Sequence, residues 1–210
     1  MNKFRYIITL LLPLLLAASS YAGERNNSKD YPRFTFGAEG YAVQTFADYS
    51  HFNFISREGE RVDIKGMALK YFINGQFLLN AGINVSRNVN ISLNIGYAGV
   101  DKGERICPLT MRATWFIGNN PLASRWFTLL DTGTAIGSST EKPALLGKIG
   151  GGYRISLNRI CKLDFLINFQ CAFIHPPTYE MIEGNPIDSE NLRRNNSIVS
   201  SFGVGIGLNF

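Results

Sequence analysis

Apolar and polar residues alternate along most of this chain, so that every second side chain is apolar. In the segment 201–210, Phe202, Val204 and Ile206 alternate with glycines. A period of two is typical of β-strands whose two faces meet different surroundings. The pattern predicts eight strands, at 33–46, 77–85, 89–99, 106–118, 125–137, 143–156, 160–174 and 197–210.

The connections between these strands differ in length. Tight turns follow strands two, four and six, whereas long segments, 47–76 and 175–196, follow strands one and seven. Transmembrane barrels have an even number of strands, short periplasmic turns and longer outer loops. The segment 61–75 also alternates, and we interpret it as an extension of strand two because a separate strand would make the number odd. We predict an all-β, eight-stranded antiparallel transmembrane up-and-down barrel with both termini periplasmic.

The composition of the two strand faces indicates which one meets lipid. One face is rich in Phe, Leu and Ile, and the other is mainly Gly, Ser and Asn. Small polar residues could not fill the core of a soluble barrel to the density of protein interiors. In a membrane barrel the apolar face meets lipid and the polar face lines the lumen. We therefore expect the apolar face to point outwards.

Seven charged residues share the inward parity. Isolated buried charges are unfavourable, so we expect them to form a paired network in a plugged lumen. A charged ion path or gate is the functional alternative. An eight-stranded barrel has an interior just wide enough for side chains to fill, which favours the network. The predicted lumen charge network comprises Glu39, Arg112, Asp131, Lys148, Arg154, Lys162 and Asp164.

Aromatic residues of outward parity are placed near both ends of the strands. Such girdles mark the two interfaces of a membrane barrel. The three cysteines, Cys107, Cys161 and Cys171, also have outward parity, so we expect apolar lipid-facing residues and not ligands. The predicted girdle consists of Phe34, Trp115, Trp126, Tyr153 and Phe210 at the inner side, and Tyr97 and Phe173 at the outer side.

The start of the chain has the three parts of a secretory signal. Lys3 and Arg5 precede an apolar run at 7–16, and small residues follow at 20–22. The run is shorter than the roughly 20 residues of a membrane helix and contains Pro13. We predict a cleaved signal peptide at 1–22, a flexible lead-in at 23–32 and a barrel at 33–210. The formal charge of +5 is spread along the chain without a basic tract, which argues against a nucleic-acid partner.

These features together resemble the small eight-stranded outer-membrane barrels of Gram-negative bacteria, the OmpA/OmpX-like group. The resemblance implies location in the outer membrane and a monomeric state. It also implies contact with outer-membrane lipid and lipopolysaccharide, and recognition of the last strand by the barrel-assembly machinery. The implied assembly signal consists of Phe202, Val204, Ile206, Leu208 and Phe210.

The resemblance leaves the activity open, because one fold can carry many functions. Some barrels of this kind modify lipid A with a His, an Asp and a Ser on outer loops, or with a His-x-Ser motif. The histidines here are His51, in the predicted outer segment after Asp48 and Ser50, and His175, which Pro176 follows. His51 is a weak catalytic candidate. We expect a structural or surface-interaction protein without enzyme activity, cofactor or metal; a lipid A-modifying enzyme and a narrow porin-like solute channel are the alternatives.

Overall fold

The computed structural model describes residues 32–56, 59–100, 105–118, 120–137, 142–158, 160–178, 187 and 190–210. The predicted signal peptide and most of the lead-in lie outside these residues. No helix in the described part of the chain is long and apolar enough to span a membrane. The strands are β1 (Phe34–Ile55), β2 (Arg61–Asn84), β3 (Val89–Gly99), β4 (Arg105–Phe116), β5 (Arg125–Gly137), β6 (Ala144–Ser156), β7 (Lys162–Ile174) and β8 (Leu192–Asn209).

The eight strands form one closed ring in which each strand pairs with its neighbours in sequence and β8 pairs with β1. All of these pairings are antiparallel. We call the end of the barrel that contains Phe36 and Phe210 the inner end, and the opposite end the outer end. At the inner end, the backbone N–H groups of Phe36 and Phe210 donate to each other's carbonyl oxygens, at 3.0 and 2.7 Å. The predicted eight-stranded up-and-down barrel is confirmed.

Two strands are longer than the sequence pattern predicted. The strands β1, β2 and β8 span 22, 24 and 18 residues, and the others span 11 to 13. The segment 61–75 continues β2, as we expected, but 47–55 also continues β1, and β8 begins at Leu192. The alternation at 47–55 is hidden because a β-bulge near Phe46 shifts the register with both neighbours. We call the part formed by 47–55, 61–71 and 192–199 the projecting sheet.

The exterior of the ring is apolar. In β8, Phe202, Val204 and Ile206 are more than half exposed, whereas Gly203 and Gly205 face the interior and are buried. A side chain at Gly205 could not be accommodated, because its Cβ would lie 2.6 Å from the carbonyl oxygen of Gly40 and closer still to the ring of Tyr41. The glycines of β8 thus make room for large side chains of the opposing strand.

The interior contains two apolar layers on either side of buried polar side chains. Towards the outer end it is filled by small and branched residues, with Ala135 and Ala144 fully buried. Towards the inner end it contains larger side chains, including Phe116, Phe127 and Leu166. Inward side chains are thus buried towards both ends of the described interior and between them.

Candidate functional site

The centre of the lumen is occupied by one arginine held between two carboxylates. Arg112 donates through Nε and Nη2 to the two carboxylate oxygens of Asp131, at 2.8 and 3.0 Å. Its Nη1 donates to Oε1 of Glu39 at 2.5 Å. All three side chains are at most 5% exposed. A guanidinium can satisfy two carboxylates in this way because its five N–H donors have a fixed planar arrangement.

Neutral and cationic neighbours complete this central cluster. Tyr41 donates its hydroxyl to Glu39 at 2.7 Å, and Asn80 donates to the same carboxylate at 3.3 Å. The Lys148 ammonium donates to Gln76 at 3.3 Å and lies 3.9 Å from Asp131. Tyr41, Gln76 and Asn80 are not among the predicted lumen residues, although they share the inward parity of the predicted charges.

A second ion pair lies nearer the inner end of the barrel. Arg154 donates to both oxygens of Asp164, at 2.7 and 2.6 Å, and Asn209 donates to the same carboxylate at 2.7 Å. The Arg154 guanidinium lies over the ring of Phe116, 4.5 Å from its centre. This cation–π contact gives the buried arginine an aromatic partner in addition to its carboxylate.

The seven predicted lumen charges are all buried, and they divide into two separate groups and one single residue. Lys162 donates to the carbonyl oxygen of Pro121, in the inner turn between β4 and β5, at 3.0 Å. Cavities of about 30 and 20 Å³ lie among the described lumen side chains. Each is large enough for roughly one or two water molecules.

The predicted girdle residues lie on the exterior. At the inner side Trp115 and Trp126 are 64% and 63% exposed, and the ring of Trp126 lies 4.9 Å from that of Tyr153. At the outer side the ring of Phe173 packs edge-on against His175 at 5.0 Å. Phe34 and Tyr153 are partly exposed, and Tyr97 and Phe210 are about half exposed.

The outer face of the projecting sheet contains a second polar group. The His51 ring lies 2.9 Å from an oxygen of Asp63 through Nε2 and 3.4 Å from Nη1 of Arg194 through Nδ1. A neutral His51 protonated on Nε2 can donate to Asp63 and accept from Arg194. The hydrogen bond from His51 lowers the pKa of the Asp63 carboxyl below its ordinary value. The sequence could not identify Asp63 and Arg194 as partners, because their contact depends on the register of three strands.

The structure does not bring Asp48, Ser50 and His51 together. Asp48 and Ser50 lie opposite the buried residues Val199 and Ser197 in β8, so they share the inner face of the projecting sheet, opposite to His51. The Asp48 carboxylate accepts from Ser197 and pairs with Lys70 at 2.8 Å. The described residues also contain no group of three or more His, Cys, Asp or Glu side chains that could hold a metal ion.

Similarity to known proteins is found among solved structures, and it concerns the fold. No family model and no curated protein matches the chain. Among solved structures, the outer membrane protein OprG from Pseudomonas aeruginosa is similar with a TM-score of 0.52 and 14% identity, over 86% of this chain and 97% of that one. Neisserial surface protein A has a TM-score of 0.51 and 9% identity, over 84% and 95%. The chain therefore has the architecture of the small eight-stranded outer-membrane barrels, as its OmpA/OmpX-like sequence features predicted.

Proposed function

We propose that this protein is an integral outer-membrane barrel with a plugged lumen and a structural or surface-interaction role. The observation that carries the proposal is the contrast between the two sides of the wall. The exterior presents an apolar band with Trp115 and Trp126 at its inner edge, and the centre of the interior holds Arg112 with its two carboxylates. An exterior of this kind fits lipid, and an interior of this kind supports a plug more than a wide pore.

The remaining parts of the proposal concern how the protein reaches the membrane and what it meets there. We infer export through the cleaved signal at 1–22, insertion by the barrel-assembly machinery and a monomeric state in contact with lipid and lipopolysaccharide. The projecting sheet would then extend from the outer surface, since Phe36 and Phe210 lie at the opposite end of the barrel. It is the part that we expect to contact partners.

Conductance measurements test the plugged lumen. The purified protein is inserted into planar bilayers, and a large porin in the same bilayers serves as the positive control. We expect no steady single-channel current, because Arg112 and its two carboxylate partners occupy the centre of the lumen. A stable conductance level that is reproduced between insertions would contradict the plug and favour the narrow channel.

Mass spectrometry of lipid A tests the absence of enzyme activity. Cells that express the protein are compared with cells that express the His51→Ala variant and with cells that lack the protein. We expect the same lipid A in all three, because Asp48 and Ser50 lie on the face opposite His51. A change in acylation that depends on His51 would establish the enzyme alternative instead.

A further inference from the structure

A lateral groove of about 540 Å³ lies where β2 continues past the outer end of β3. The last residue of β2 that pairs with β3 is Gln76, opposite Ala98, and β3 ends at Gly99. From Gly75 outwards, β2 has β1 as its only described partner strand. Its lining includes Gly40, Gly75, Phe77 and Tyr97, and also Asn74 and Arg105.

Two glycines of outward parity keep the apolar part of the groove open. A Cβ atom added to Gly40 or to Gly75 would have no heavy atom within 4 Å. Neither glycine has a positive φ, so the backbone does not require glycine at these positions. Beside them Phe77 and Tyr97, which are opposite each other in the β2–β3 pair, are 52% and 49% exposed. The groove thus offers a flat strip of backbone next to two aromatic rings.

The outer end of the groove is polar. The amide nitrogen of Asn74 is buried and has no hydrogen-bond partner. The Asn74 side chain packs against Gly99, where an added Cβ would lie 2.6 Å from its amide oxygen. Arg105, opposite Gly99 at the start of β4, is exposed and has no ion-pair partner in the described structure. An exposed guanidinium without an ion-pair partner favours a ligand with acceptor oxygens.

The depth of the groove in the wall defines the chemistry of its ligand. Its apolar strip lies among lipid-facing residues of β1 to β3, and its polar end lies at the outer end of β4. Barrel exteriors of this class have an apolar band about 25 Å tall. The groove therefore passes from the hydrocarbon region into the outer interface, where lipid phosphates lie. A chain of methylene groups would fit the strip, and a phosphate would meet Arg105.

We propose that this groove binds a phosphate-bearing lipid of the outer leaflet. One acyl chain lies over Gly40 and Gly75 against the rings of Phe77 and Tyr97. The phosphate accepts hydrogen bonds from Arg105. The inference rests on the proposed membrane location, and it assigns one specific lipid site to a wall that otherwise contacts lipid without selectivity.

Native mass spectrometry of the folded full barrel tests the site. The probe is phosphatidylglycerol with 14-carbon chains, added to protein in a mild detergent, and phosphatidylcholine with the same chains is the neutral comparison. The variant Gly75→Leu fills the strip, and Gly147→Leu is its matched control because Gly147 on β6 is equally open. Arg105→Gln removes the phosphate contact, and Arg193→Gln removes an exposed arginine elsewhere.

We expect the parent barrel and both controls to retain one phosphatidylglycerol in preference to phosphatidylcholine. Gly75→Leu should lose this bound lipid. Arg105→Gln should reduce the preference for the anionic lipid by about tenfold, as for the loss of one charged hydrogen bond. Equal binding by Gly75→Leu and Gly147→Leu, or equal binding of both lipids by the parent, would overturn the site.

The heat-dependent gel mobility of each sample separates this result from the proposed function. A barrel that folds and inserts into bilayers but retains no lipid would reject the groove site and leave the membrane barrel intact. A chain that forms no heat-modifiable barrel in lipid would reject the membrane proposal itself. Glycerol phosphate, added without acyl chains, should not compete with the bound lipid; if it does, the site binds phosphate and not lipid.

Discussion

Arg112 of β4 and Asp131 of β5 are direct cross-strand partners, and their side chains form two parallel hydrogen bonds inside the barrel. The two residues are buried, so each requires the other to remain charged in the interior. Glu39 reaches the same guanidinium from β1, on the other side of the ring. One side chain thereby links three strands across the lumen, which the wall hydrogen bonds alone do not do.

Removal of this arginine should strongly destabilise the barrel. In Arg112→Ala, both Glu39 and Asp131 lose their strong partner, and breaking a buried ion pair from one side costs about 3–5 kcal/mol. Urea unfolding in lipid vesicles, followed by gel mobility, measures the free energy of unfolding. The control is Arg193→Ala, in an exposed position, which should change the free energy of unfolding by less than about 0.5 kcal/mol.

A second substitution tests whether Glu39 depends on the charge of Arg112. The double variant Arg112→Ala with Glu39→Gln should be less destabilised than the sum of the two single variants, because the neutral amide needs no buried cation. Additive losses would show that the carboxylate and the guanidinium do not depend on each other.

The need for small residues on the inward face of β8 can be tested by comparing Gly205 with an outward-facing glycine of β6. Gly205→Leu should impair folding, because its new side chain must enter the space of Tyr41 and of the Gly40 carbonyl. Overpacking of this kind typically costs about 1–3 kcal/mol. Gly147→Leu should be tolerated, since that position faces open space. The heat-modifiable fraction after refolding measures both, and equal yields would contradict the close contact.

Acidification should weaken the contact between Asp63 and His51 in the projecting sheet. The folded-state pKa of Asp63 is lowered, so its stabilising contribution is present above the ordinary aspartate pKa of about 3.9 and is lost as the pH falls through the folded value. An NMR titration should give a midpoint below 3.9. In His51→Ala the midpoint should rise towards 3.9; an unchanged midpoint would exclude the hydrogen bond as the cause.

A matched pair of variants can distinguish recognition of the last aromatic residue from a general contribution of aromatic residues at the inner rim. Phe36 and Phe210 are backbone partners at the inner rim, and both rings are more than half exposed. If the assembly machinery recognises the final aromatic residue, Phe210→Ala should lower the yield of barrel in the outer membrane by several-fold and Phe36→Ala should not. Fractionation of cell envelopes measures the yield. Similar losses of yield in both variants would indicate that the barrel needs aromatic residues at this rim and that the last residue is not specifically recognised.

The alternation of apolar and polar residues was sufficient to predict the strands of the ring, because one face of each strand is apolar along its whole length in the ring. It was insufficient to predict the parts of β1 and β8 that continue beyond the apolar region. Both faces of the projecting sheet contain polar residues, and the bulge near Phe46 changes parity, so 47–55 lost its strand pattern. Parity also indicates which charges point inwards, but not which of them pair. Lys162 shows this, since it bonds to a turn carbonyl and to no carboxylate in the described structure.

The closing seam has a consequence for the order of events during synthesis. Thr45 and Ser201, whose hydroxyl groups are 3.2 Å apart, are separated by 156 residues in sequence. Pairing between such distant segments is entropically unfavourable to initiate and slow. Until β8 leaves the ribosome, β1 lacks its partner, and its unpaired edge can associate with other chains. The ring can therefore close only after translation has produced β8, and assembly of the barrel must follow synthesis of the chain.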